Sequence, residues 1–347
     1  MQRFEHGGDV YGADGTALRL DFSVNTNPLG LPPAVDRALR THLSELAHYP
    51  DPACRALRAA LAQRHGLSST SVLCGNGASE LILALCACVR PKRVLLTAPT
   101  FSEYERAALR YGSTVRLHAL DAAADFVLDR RILLEIEAGA DILFLCTPNN
   151  PTGRLADRDL LEEIVAACQR RGILLLLDEC FLDFTMGESL LPLLHRYPGL
   201  LILRAFTKIY AMAGLRLGTL YSADQELLQQ IASYCPTWSV STAAQIAGLA
   251  ALQEKDWLSD TRRLIIAERT YMTRALRELG LYVCPSDANF LLLRSEQPLW
   301  QPLREKGLLT RCCDNYSGLD ERYLRIGVKT HAENEILLHA IREVLHG

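Results

Sequence analysis

The chain reads as an α/β protein: a large domain with a mostly parallel seven-stranded sheet between helices, then a smaller α+β domain. Three observations predict this. Between Ser71 and Tyr221, short apolar runs alternate with segments whose apolar residues recur at helical spacing, the pattern of βαβ units. Some runs, Ile173-Leu-Leu-Leu-Leu177 above all, are apolar at every position, as a strand covered on both faces requires. After about Glu254 the alternation gives way to a long amphipathic segment followed by short mixed elements.

The seven expected strands are Val72–Cys74, Arg93–Thr97, Thr114–His118, Ile142–Cys146, Ile173–Asp178, Leu200–Arg204 and Leu215–Tyr221. Helices are expected over Ser79–Val89, Ser102–Tyr111 and Asp157–Arg170. In the last, Leu160, Leu161, Ile164 and Val165 share a face, and Asp157 is placed to cap the free N–H groups. The smaller domain should hold a long helix over Asp260–Leu279, a strand, a helix, two short strands and a closing helix over Ala332–Leu345. Residues 1–30, rich in Gly, Asn and Pro, read as an ordered arm packing on the small domain and the active site. The large domain then spans 31–254 and the small one 255–347.

Composition narrows the function. The 347 residues suit about two domains of ~150 residues, and 49% hydrophobic with 22% charged residues is ordinary for a packed protein. The net charge of −3, with basic residues spread along the chain, offers no footprint for nucleic acid. Met1–His6 shows no secretory pattern, and the apolar runs fall short of the about 20 residues a membrane span needs. The eleven cysteines include no CxxC pair, so no metal site is expected, and they read as reduced buried thiols of a cytoplasmic protein.

Four segments carry chemistry. Arg204-Ala-Phe-Thr-Lys-Ile-Tyr-Ala-Met-Ala-Gly-Leu-Arg-Leu-Gly218 lies between two expected strands and presents Lys208 with Thr207 before it and Arg216 after it. An amine on a short fixed segment beside hydroxyl and guanidinium donors suits a phosphorylated cofactor. The strand ending at Asp178 places a carboxylate where α/β sheets bind ligands. Cys146-Thr-Pro-Asn-Asn-Pro-Thr-Gly153 closes another strand with a proline-stiffened turn carrying Asn150. Gly75-Asn-Gly-Ala-Ser-Glu80 is a glycine turn into a helix, whose free N–H groups and dipole favour phosphate.

In this order and spacing, these segments resemble the fold-type I pyridoxal 5′-phosphate (PLP) enzymes, specifically the class I/II aminotransferase superfamily, over essentially the whole chain. The resemblance implies PLP carried covalently on Lys208, with Asp178 at the pyridine nitrogen, Asn150 at the ring 3-oxygen and Phe101 stacked on the ring. Gly77, Ala78, Ser79, Thr207 and Arg216 would cradle the cofactor phosphate. Tyr49, in His48-Tyr-Pro-Asp51, would reach the phosphate of a neighbouring subunit, making a homodimer.

Within that superfamily the chain is more similar to the threonine-phosphate decarboxylases of cobalamin biosynthesis than to the histidinol-phosphate aminotransferases. His6-Gly-Gly-Asp9, Asp21-Phe-Ser-Val-Asn-Thr-Asn-Pro-Leu-Gly30 and Arg311-Cys-Cys-Asp-Asn-Tyr-Ser-Gly-Leu-Asp320 with Arg322-Tyr-Leu-Arg325 carry the likeness. Where the aminotransferases place a tyrosine beside the cofactor, this chain has Phe181, which donates no hydrogen bond. The resemblance implies a small phosphorylated amino-acid substrate, O-phospho-L-threonine, met by His6, Gly7, Asn25, Asn150, Arg311 and Arg325. A histidinol-phosphate aminotransferase, an O-phospho-L-serine decarboxylase and a non-catalytic PLP-fold binding protein stay open at this point. Two positions depart from the pattern: Ala205 replaces a phosphate-binding hydroxyl, and Lys329 replaces an arginine, keeping charge but losing the planar fork.

Overall fold

The computed structural model describes residues 6–10 and 20–346. Seven strands build the large sheet: β2 (Val72–Gly75), β3 (Arg93–Ala98), β4 (Thr114–Ala119), β5 (Ile142–Cys146), β6 (Leu174–Asp178), β7 (Leu200–Ala205) and β8 (Gly218–Tyr221), preceded by a short β1 (Leu20–Asp21) outside it. Their order is β2-β8-β7-β6-β5-β3-β4. All neighbours are parallel except β8, which runs against both β7 and β2. The expected mostly parallel seven-stranded sheet is therefore present. Ile142–Cys146 is buried at every position, and Leu175, Leu176 and Leu177 are buried with it, as both-face coverage demands.

The large domain's helices are α1 (Pro33–Thr41), α2 (Arg55–His65), α3 (Ala78–Val89), α4 (Ser102–Arg110), α5 (Ile132–Glu137), α6 (Arg158–Arg171), α7 (Phe206–Ile209), α8 (Gln225–Ala232) and α9 (Thr242–Ala251). In α6, Asp157 accepts a hydrogen bond from the Leu160 N–H at 3.0 Å, and Gly172 ends the helix with a φ of 64°. The apolar face read from the sequence, Leu160, Leu161, Ile164 and Val165, is the buried one.

The rest comprises α10 (Trp257–Glu278), β9 (Tyr282–Val283), β10 (Phe290–Arg294), α11 (Trp300–Glu305), β11 (Leu308–Leu309), β12 (Arg311–Cys312), β13 (Tyr323–Gly327) and α12 (His331–His346). Strands β12, β13, β10 and β9 form an antiparallel sheet, while β11 pairs in parallel with β1 of the N-terminal segment. A second, smaller core gathers Phe126, from the loop after β4, with Tyr316 and Tyr323. Beside it the Tyr282 hydroxyl donates to Asp125 at 2.7 Å, tying the two regions together.

The structure corrects two expectations. The run Leu215–Tyr221 is strand only from Gly218, because Arg216 takes a left-handed φ of 59°; Leu217 is nonetheless fully buried, so hydropathy alone cannot separate turn from strand. The small domain holds more strands than foreseen. The single expected strand before α11 is split into β9 and β10, and Leu308–Cys312 is shared between β1 and β13 on either side of Thr310. No helix of the described residues is long and apolar enough to cross a membrane.

Candidate active site

Parallel β3, β5, β6 and β7 end on one edge of the sheet, and β2, reversed twice through β8, ends there too. That edge is where open α/β sheets bind ligands. It carries Phe101 after β3, Asn150 after β5, Asp178 at the end of β6, Lys208 after β7 and Ala78–Ser79 after β2. All six line one cavity of about 330 Å³.

Lys208 sits on the four-residue α7. Asn27 of the N-terminal segment holds that turn: its N–H donates to the Lys208 carbonyl at 2.9 Å, and its side-chain amide donates to Ile209 O at 2.8 Å and Thr261 Oγ1 at 2.7 Å. The Lys208 amine lines the cavity and makes no hydrogen bond or ion pair with a described residue. Burial lowers its pKa to about 8, and the Arg325 and Arg216 charges push the same way.

Asp178 is buried; its Oδ2 accepts the Tyr104 hydroxyl at 2.5 Å and its Oδ1 the Cys180 N–H at 2.8 Å. Burial raises its pKa, and those hydrogen bonds oppose the rise. A cation facing this carboxylate would hold it ionised.

The start of α3 forms a cradle. Gly77 has a φ of 82°, and a β-carbon there would stand 2.5 Å from Arg216 Nη2. A β-carbon on Gly218 would stand 2.6 Å from the Ala78 nitrogen. The two glycines thus let the guanidinium and the first N–H groups of a twelve-residue helix approach one point, a geometry for phosphate.

On the opposite wall, Arg325 donates through Nη2 to Ser23 O at 2.7 Å and through Nη1 to the Asn150 side chain, with its guanidinium 5.6 Å from the Phe290 ring centre. Arg311 donates to the Cys312 carbonyl and, at 2.7 Å, to Asn315 Oδ1, and lies 5.3 Å from the Tyr316 ring centre. Arg325 Nε and Asn25 Oδ1 are buried without a hydrogen-bond partner among the described residues, which native interiors rarely tolerate. His6 reaches over this wall, its Nε2 2.7 Å from Glu103 Oε1 and its ring 5.9 Å from Phe101.

The family model described as aminotransferase class I and II matches residues 19–341. The chain belongs to that family. It is 40% identical to the threonine-phosphate decarboxylase of Salmonella typhimurium, over 99% of this chain and 97% of that one. It is 34% identical to a histidinol-phosphate aminotransferase of Thermococcus gammatolerans, over 95% and 92% of the two chains. Among solved structures, the L-threonine-O-3-phosphate decarboxylase of Porphyromonas gingivalis superposes with a TM-score of 0.84 at 26% identity, covering 95% of this chain and 100% of that one.

For a class I and II aminotransferase-family chain, the donor set fits PLP. An unpartnered amine, a buried carboxylate, an aromatic wall and a glycine-limited cradle beside a guanidinium match the cofactor's aldehyde, ring nitrogen, ring face and phosphate. Of the residues singled out from sequence, Ala78, Ser79, Phe101, Asn150, Asp178, Phe181, Thr207, Lys208, Arg216, His6, Gly7, Asn25, Arg311 and Arg325 line this cavity. Gly77 stands behind it, against Arg216. Tyr49 lies outside it, 78% exposed and stacked on Trp238 at 4.3 Å between ring centres. Ala205 contributes a wall without a hydroxyl, and Lys329 is not among the lining residues. Phe181 packs edge-on against Phe290 at 5.0 Å and gives the cavity an apolar wall.

Sequence reasoning missed Tyr104, Glu103, Arg106, Ser23 and Tyr316, which also line the cavity. The first three sit on α4, inside the helix expected over Ser102–Tyr111 and just after Phe101. Their spacing marks a helix, but only the fold shows which face of it turns inward.

Proposed function

We propose that this chain is a PLP-dependent threonine-phosphate decarboxylase. It converts O-phospho-L-threonine to (R)-1-aminopropan-2-yl phosphate and CO₂ for the cobalamin nucleotide loop, as a cytoplasmic homodimer. The observation that carries the reading is the convergence of His6, Asn25, Arg311 and Arg325 on the Lys208 amine in one cavity. The 40% identity to the Salmonella enzyme over 99% of the chain supports it.

When bound, PLP supplies a protonated ring that draws off the electron pair left when a bond to the substrate Cα breaks. Asp178 is the residue placed to hold that ring nitrogen protonated, and Tyr104 and the Cys180 N–H fix its two oxygens. Asn150, already polarised by Arg325, would meet the ring oxygen. Thr207, Ser79, Arg216 and the first N–H groups of α3 would hold the phosphate. Lys208, with a pKa lowered to about 8, loses its proton far more readily near neutral pH than an ordinary lysine. It can therefore attack a carbonyl carbon and afterwards pass a proton to Cα.

The substrate's two anionic groups meet two guanidiniums, Arg311 and Arg325, each held in place by hydrogen bonds within the chain. Their work is orientation. With the cofactor bound, the Cα bond standing perpendicular to its ring would be the one that breaks, so clamps that turn the carboxylate to that position would select loss of CO₂ over loss of a proton.

Two incubations test the reading. Purified protein with O-phospho-L-threonine and no keto acid should release CO₂ and aminopropanol phosphate. Protein with histidinol phosphate and 2-oxoglutarate should form no glutamate; the reverse pattern would overturn the proposal. Arg325→Leu should cut turnover by about 100-fold while the yellow cofactor band stays; a colourless variant would contradict the assigned role.

A further inference from the structure

Besides Asp178, Glu103 is the one carboxylate among the described residues lining the cavity. Its sign opposes a doubly anionic ligand, so an uncommitted charge here would weaken substrate binding. The charge is committed. Glu103 Oε1 lies 2.7 Å from His6 Nε2 and accepts from Arg106 Nη1 at 3.3 Å. The His6 hydrogen bond, ahead of the Arg106 charge, holds its pKa below the usual glutamate value.

The segment carrying His6 is shaped for this contact. A β-carbon on Gly7 would stand 2.3 Å from Ser23 O, and Gly8 has a φ of 97°. Only glycines let the chain lie this close and turn this way. The Gly8 N–H donates to Ser23 Oγ at 2.8 Å, and the Ser23 carbonyl in turn accepts from Arg325. Residues 6–8 are thus strapped between α4 on one side and the Ser23–Arg325 wall on the other.

Taking the proposed phosphorylated substrate as given, we propose that Glu103 is a positioning residue. By accepting from Nε2 it pins His6 over the cavity mouth and turns the Nδ1 edge of the ring toward the substrate's anionic end. The imidazolium form then donates both N–H groups, one to Glu103 and one to the substrate. The carboxylate thereby serves an anionic ligand through the histidine it holds.

The test uses holoenzyme carrying Glu103→Ala, His6→Ala, or both. Glu103→Ala should raise KM for O-phospho-L-threonine about tenfold with kcat within about twofold, and leave the cofactor absorption unchanged. Because Glu103 acts through His6, the double variant should be no worse than His6→Ala alone. Glu103→Gln, which keeps an accepting oxygen, should recover part of the loss. Hydrogen exchange over residues 6–10 of the substrate-free holoenzyme should rise in Glu103→Ala. That readout needs no turnover, so it judges the strap even if the substrate reading fails. Unchanged exchange, a loss confined to kcat, or additive losses in the double variant would overturn the proposal.

Discussion

At the scale of single residues, the proposed chemistry rests on an amine kept where it is uncomfortable. Lys208 is held with a pKa of about 8 against an ordinary 10.5, chiefly by burial. The sign of the consequence is fixed. Between those two values the unfolded chain binds more protons than the folded one, so stability rises with pH across the window, and below it the penalty stands in full. Lys208→Met should therefore make the cofactor-free protein more stable at pH 7 by about 1–3 kcal/mol. The low end is expected, since the amine opens onto the cavity. Denaturant melts at pH 7 and pH 10 check it: the advantage should shrink at the higher pH, and a constant gap would mean that packing, not charge, separates the variants. The same variant should abolish turnover.

At the scale of elements, the site depends on turns that end strands more than on the strands themselves. The sheet was legible because an apolar run such as Ile142–Cys146 is buried on both faces, and burial leaves its mark on every residue of the run. Helix α6 was legible because Asp157 and the Leu160–Val165 spacing mark its start and its inward face. Arg216 was legible as a donor but not as a left-handed residue, because φ is set by what the turn must reach. Gly77 shows the cost of such a turn. With a φ of 82° and a β-carbon contact of 2.5 Å to Arg216, Gly77→Ala should strain the backbone and push the guanidinium out of the cradle. The expected outcome is PLP affinity reduced at least about tenfold in an absorbance titration, with only a modest drop in melting temperature. Unchanged affinity would show that Arg216 is not a phosphate ligand.

At the scale of the whole molecule, residues far apart in sequence close one cavity. His6, Glu103, Asp178, Lys208 and Arg325 come together only once both sheets and the N-terminal segment are in place. The motif residues announced themselves through their neighbours in sequence. Glu103 and Tyr104 did not, because their partners lie 97 and 74 positions away. Tyr49 points outward instead, 78% exposed, near Leu43 and Leu46, which are also exposed. Apolar surface of this kind calls for a partner, and a second copy using the same patch would satisfy twofold symmetry. If Tyr49 serves the neighbouring site, Tyr49→Ala and Lys208→Ala subunits damage different halves of each composite site. Unfolded together and refolded one to one, they should form half heterodimers, each with one intact site, recovering about a quarter of wild-type activity. A mixture no more active than the mean of its parents would place Tyr49 outside the neighbouring site.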